Sequence, residues 1–190
     1  SYYDLRRFLP NILGPLLPDE LKNLGVFDYD GNTQINTTKL VTKATFLSGI
    51  GRAEAILTID DYSNTDRATY SGNLILSAFD IGLLTETSAL GKVSANLDFD
   101  GRGFTQQTLD MRLQGNISSF GFEGYDYKNI SIQGALKDPV FNGDLAIDDP
   151  NVQLNFKGLV DVSKAFNQYD FEADVYYAEL NKLNLFKRDS

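Results

Sequence analysis

The residues best equipped for chemistry in this chain are its paired and closely spaced carboxylates. Asp28 and Asp30 with Asn32, and Asp98 and Asp100 before Gly101, offer the hard oxygen donors that a calcium loop collects. Neither stretch continues into the remaining ligand spacing or a terminal Glu, so ordinary turns are the favoured reading. Asp60-Asp61 and Asp148-Asp149 could serve as acid pairs for glycoside hydrolysis. Sequence-adjacent residues on a strand point to opposite faces, so neither pair makes a catalytic dyad by itself. Asn36, Asn116 and Asn129 each begin an N-x-S/T triplet, a match expected by chance in an Asn- and Ser-rich β protein.

The rest of the catalytic repertoire is missing. The 190 residues contain no Cys and no His, which removes disulfides, thiolate nucleophiles, imidazole bases and nearly every zinc or copper site. The expectation is a protein that is not an enzyme and uses no cofactor and no metal. A net charge of -9 opposes nucleic acid as a partner, because a phosphate polyanion needs a basic stripe to release its counterions. No apolar run approaches the roughly 18 to 20 residues of a spanning helix, and no signal-peptide core is visible at the start. Opening at Ser1 without an initiator Met, the chain reads as an excised segment of something longer.

The elements that carry these residues are mostly strands. Residues 1–25 differ from the remainder: Leu5, Phe8, Leu9, Ile12 and Leu13 recur at helical spacing after Asp4, a potential N-cap. Pro10 interrupts that helix. A second short helix is expected from Pro18 through Asp19 and Glu20 to a stop at Gly25, with Leu21 and Leu24 packing inward.

From Val26 the period becomes two. Val93, Ala95, Leu97 and Phe99 alternate with Lys92, Ser94, Asn96 and Asp98, the code of a half-buried strand. The same code recurs through Leu40, Ala44 and Phe46; Ala55, Leu57 and Ile59; Leu74, Leu76 and Ala78. Later copies run through Leu109, Met111 and Leu113; Ile130 and Ile132; Phe141, Leu145 and Ile147; Val152, Leu154 and Phe156; and Tyr169, Phe171, Ala173, Val175 and Tyr177. Turns are expected at Asp30-Gly31-Asn32, Asp100-Gly101, Asp138-Pro139 and Asp149-Pro150-Asn151. Short loops imply antiparallel strands in meander order over 26–190. Two strands finish in Ala78 and Ala178 and are followed by short helical turns near 80–86 and 179–185, a loose internal repeat.

One set of residues resembles a known family. Gly91-Lys92-Val93 through Gly101-Arg102-Gly103, the run Gly124 to Ile130, and Asp148-Asp149-Pro150-Asn151 together resemble the TamB branch of the AsmA-like envelope proteins. The Phe79 to Leu84 insertion and Asn181 to Leu185 are similar to that branch too, so the resemblance spans about Leu16 to Asp189. It implies an all-β fold: a long antiparallel meander sheet curled into a taco-like half-barrel with an apolar interior, preceded by short N-terminal helices. It also implies a periplasmic protein anchored to the inner membrane through a segment outside this fragment. The expected partners are phospholipid or another amphiphile, and an Omp85-type outer-membrane barrel reached through other parts of the full-length protein. The expected work is to bind or conduct acyl chains, supporting outer-membrane lipid transport or outer-membrane protein assembly.

The candidate lipid-groove residues follow from the alternation: Val93, Ala95, Leu97, Phe99, Leu109, Met111, Leu113, Ile130, Ile132, Leu145, Ile147, Val152, Leu154, Phe156, Phe171, Ala173 and Val175. The same positions would equally fill the core of a closed sandwich. A carbohydrate-binding or adhesive β-sandwich is therefore the alternative, with two sheets about 10 Å apart and no groove.

Overall fold

A computed structural model describes residues 19–105, 107–137, 140–161 and 169–185, together with Tyr3, Asp4 and Arg7. Ten antiparallel strands form one sheet in sequence order. They are β1 (Phe27–Ile35), β2 (Lys39–Ser48), β3 (Gly51–Asp60), β4 (Thr69–Asp80), β5 (Leu90–Arg102), β6 (Asp110–Phe122), β7 (Tyr125–Lys137), β8 (Val140–Asp149), β9 (Val152–Asp161) and β10 (Tyr169–Ala178). The edge strands β1 and β10 each have a single neighbour, so the sheet is not closed. Every described strand belongs to this sheet, and substantial contacts join only consecutive strands. The two facing sheets of a sandwich are not present among the described residues.

Tyr3, Asp4 and Arg7 are helical, and from Asp19 onward helical structure is slight and gathers at one end of the sheet. A 3-10 turn at Asp19–Leu24 precedes β1, and Gly25 follows it at φ +65°, where glycine carries no steric penalty. Leu24 is buried and Leu21 packs beside it, as the second expected helix required. The first expected helix falls largely on positions 8–18, outside the described residues. Helix α1 (Ile81–Thr85) follows β4; Asp80 caps it by accepting a 2.9 Å bond from the Leu83 N–H. Asn23 ties the 3-10 turn to α1 through a 2.8 Å bond to the Leu84 carbonyl. At the same end, residues 179–185 form hydrogen-bonded turns that place Leu183 at 1% exposure.

Two expected turns are strand. Asp30-Gly31-Asn32 lies inside β1 opposite Ala44, and Asp100-Gly101 lies inside β5 opposite Met111. Glycine in these places marks close backbone approach rather than reversal: a Cβ on Gly31 would stand 2.6 Å from the Lys43 carbonyl oxygen. The β1–β2 reversal instead uses Asn36, whose Oδ1 accepts from the N–H groups of Thr38 (3.0 Å) and Lys39 (2.8 Å). The turn at Asp149-Pro150-Asn151 falls where expected, between β8 and β9. Asp138-Pro139 is outside the described residues.

Three apolar clusters hold the sheet. One joins Leu40, Ile59, Tyr62 and Tyr70 with Phe104 from the β5–β6 loop. At the opposite strand ends, Leu24 covers Phe79, Val93 and Ala95. Beside it, Leu183 covers Tyr127, Ile130 and Val152. Residues that cross the middle of the sheet, such as Leu57, Leu97 and Leu145, are only partly buried.

Candidate functional site

Cross-strand partners in an antiparallel ladder point to the same side, so the register fixes which residues share a face. Followed from β2, one central row reads Ala44, Ala55, Leu74, Leu97, Gly115, Ile132, Leu145, Phe156 and Ala173. The next row reads Phe46, Ala53, Leu76, Ala95, Ile117, Ile130, Ile147, Leu154 and Val175. A third runs Gly72, Phe99, Leu113, Gly134, Gly143, Gly158 and Phe171. The β-strands thus present one continuous face without a charged side chain until Asp149 at the end of β8.

All the candidate groove residues except Leu109 lie in strands on this face. Val93, Ala95, Leu97 and Phe99 come from β5; Met111 and Leu113 from β6; Ile130 and Ile132 from β7. Leu145 and Ile147 come from β8, Val152, Leu154 and Phe156 from β9, and Phe171, Ala173 and Val175 from β10. Leu109 precedes β6 and packs with Tyr70 and its neighbours. Val93, Ala95, Ile130 and Val152 are buried, whereas Phe171 and Val175 on the edge strand are 52% and 60% exposed.

Bulges displace two residues that strict alternation assigned to the face. The β4 register shifts between Leu76 and Phe79, so Ala78, at φ 45°, is exposed and Phe79 takes the buried place opposite Val93. In β10 the shift between Val175 and Tyr177 sets Tyr177 opposite Gln153, and Ala178 returns opposite Val152. An extra residue in one strand increases local twist, which alternation alone does not record.

The opposite face is polar and largely self-paired near β4 to β6. Asn73 donates to Asn96 (2.7 Å) and Asp98 (2.8 Å), and Arg112 pairs with Asp100 at 2.5 Å. The two acidic stretches weighed as calcium loops and read as turns are strand segments, with Asp98 and Asp100 engaged by neighbours. No group of three or more acidic side chains suited to a metal ion occurs among the described residues. An open depression of about 720 Å3 crosses this polar face between β5 and β10, lined by Gln114, Gln133, Asp144 and Lys157 among others. Sequence reasoning did not anticipate it, because alternation assigns residues to a face and carries no record of that face's depth.

Asp148 and Asp149 point apart as adjacent strand residues must: Asp148 is exposed and Asp149 is 2% exposed. Asp149 accepts from the Tyr125 hydroxyl at 2.5 Å, the Asn151 N–H at 2.8 Å and the Lys128 N–H at 2.9 Å. Burial and this bond to Asp149 hold the Tyr125 hydroxyl above its usual pKa. Both carboxylate oxygens are engaged, which makes Asp149 a structural anchor for the β8–β9 turn. No helix among the described residues is long and apolar enough to cross a membrane.

Comparison with protein-family models, with curated proteins and with solved structures finds no match.

Proposed function

We propose that this chain is a segment of a periplasm-spanning, TamB-like envelope protein, in which the apolar sheet face carries phospholipid acyl chains. In this reading the sheet curls about that face as an open taco. The single observation that carries it is the unbroken run of apolar and small residues through successive strands, from Ala44 on β2 to Ala173 on β10. With strands about 4.8 Å apart, these nine offer a strip about 38 Å long. Each methylene group removed from water contributes about 0.8 kcal/mol, so such a strip grips hydrocarbon without any directed hydrogen bond. Weak, unspecific contact of this kind suits a conduit.

The partly buried central rows support the reading, since a sheet face packed beneath a second layer would be buried throughout. The resemblance noted in the sequence adds the compartment: a periplasmic segment, anchored to the inner membrane and reaching an Omp85-type barrel through other parts of the full protein. Native mass spectrometry and organic extraction of the purified chain test the proposal. Co-purified or exchangeable phospholipid is the expected result. A chain that retains no amphiphile when offered phospholipid in excess would overturn it.

A further inference from the structure

The sheet ends in two edges, and they differ in what each can pair with. We propose that β1 is a self-complementary edge at which two copies of this chain join antiparallel about Gly31. Such pairing needs no lipid.

The β1–β2 turn fixes which backbone groups lie open. The Asn36 N–H donates to the Lys39 carbonyl at 2.9 Å, so bonding to β2 recurs at every second residue back along the strand, at Gln34, Asn32, Asp30 and Asp28. The N–H and C=O groups of Phe27, Tyr29, Gly31, Thr33 and Ile35 therefore point away from the sheet, and no described strand meets them. Every residue of β1 after Phe27 is exposed. Open edges are ordinarily blunted by Lys, Pro or a bulge. β1 contains neither residue, and its register against β2 runs from Phe27 to Ile35 without a shift.

The side chains select the occupant. A two-fold axis normal to the sheet at Gly31 pairs the whole of β1 with its counterpart, Phe27 against Ile35 and Tyr29 against Thr33, and keeps the apolar face on one side across the junction. Asp28 then stands opposite Gln34 of the second copy, and Asp30 opposite Asn32. Each carboxylate meets a neutral amide that can donate to it. The Tyr29 hydroxyl meets Thr33 of its own strand at 2.8 Å, so its ring spans Gly31, and a glycine opposite a glycine leaves room for both rings.

The other edge refuses both itself and β1. Asp170, Glu172 and Asp174 share one face of β10. Self-pairing centred on Ala173 sets Glu172 against Asp174, and centring on Glu172 sets Asp170 against Asp174. Antiparallel pairing of all of β1 with Tyr169 to Tyr177 sets Asp30 against Asp174. Like charges directly opposite are destabilising, and the bulge between Val175 and Tyr177 interrupts the edge further. Association through β1 alone is therefore closed at two copies rather than an open filament.

The test is sedimentation equilibrium of the chain from low micromolar to near-millimolar concentration. One strand from each copy makes a small interface, so a reversible monomer–dimer equilibrium with a micromolar dissociation constant is expected. A monomer at every concentration, or assembly that grows past the dimer, would overturn the proposal. Asn32→Asp/Gln34→Glu sets acid against acid at exposed positions, with Lys43 beside residue 32 to keep the monomer folded. It should weaken dimerisation at least about tenfold. Thr33→Pro removes an outward-pointing donor at an edge that tolerates proline, and should abolish the dimer. If either variant, folded by circular dichroism, dimerises as tightly as the parent, β1 is not the interface.

Discussion

Leu74 on β4 stands directly opposite Leu97 on β5, and neither is fully buried. Leu97 packs at the margin of the cluster that holds Leu24, whereas Leu74 belongs to none of the three clusters.

Leu97→Asp should weaken stability by only about 1–3 kcal/mol, because a partly exposed carboxylate can turn towards water. It should nevertheless abolish retention of hydrocarbon across β4 to β6. Ile130→Asp, at a position 5% exposed, should unfold the chain. Circular dichroism in urea set beside lipid retention checks both; parallel loss of fold and lipid in Leu97→Asp would make Leu97 a core residue.

Asp149→Ala should destabilise by about 3 kcal/mol, since it leaves the Lys128 and Asn151 N–H groups and the Tyr125 hydroxyl without their acceptor. Tyr125→Phe removes one donor and leaves the others bonded, so about 1 kcal/mol is expected. Urea midpoints at neutral pH compare the two.

Alkaline pH should loosen the sheet. Tyr70 is held above its usual pKa by burial, with Asp110 and Asp100 adding repulsion, and burial raises Tyr127 as well. A raised folded-state pKa contributes stability that is complete below the unfolded value of about 10 and is lost as pH rises through the folded one. Melting temperature should thus fall above about pH 10. Tyr70→Phe should make that fall shallower, and an unchanged slope would contradict the assignment.

Gly143→Ala should cost about 1–3 kcal/mol although alanine is small. A Cβ there would stand 2.3 Å from the Gln133 carbonyl oxygen and 2.5 Å from the Gly134 Cα, so backbone must move. Thermal melting of the variant tests this, with Gly49→Ala as the comparison, since nothing lies within 4 Å of a Cβ at Gly49.

The meander and its apolar face were legible because alternation is a local signal repeated strand after strand. Leu97, Ile132 and Phe156 could be assigned to one side from their neighbours alone, and their register then joined them in one row. What alternation could not reveal was any event that adds a residue or bends the sheet. Ala78 left the face because a bulge precedes Phe79, and Tyr177 left it for the same reason. Gly31 and Gly101 look like turn residues in isolation, yet cross-strand partners hold them extended. The Asp149 anchor was equally hidden, since Tyr125 lies 24 positions away in sequence.

Photolabelling with a phospholipid carrying a diazirine in its acyl chain, followed by peptide mapping, reports directly which side of the sheet meets hydrocarbon. Adducts concentrated on Leu97, Leu113, Ile132, Leu145 and Phe156 are predicted, with few on the polar neighbours Gln114, Gln133 and Asn155. Labelling spread evenly over both faces, or confined to residues outside the strands, would contradict an acyl-chain strip on the apolar side.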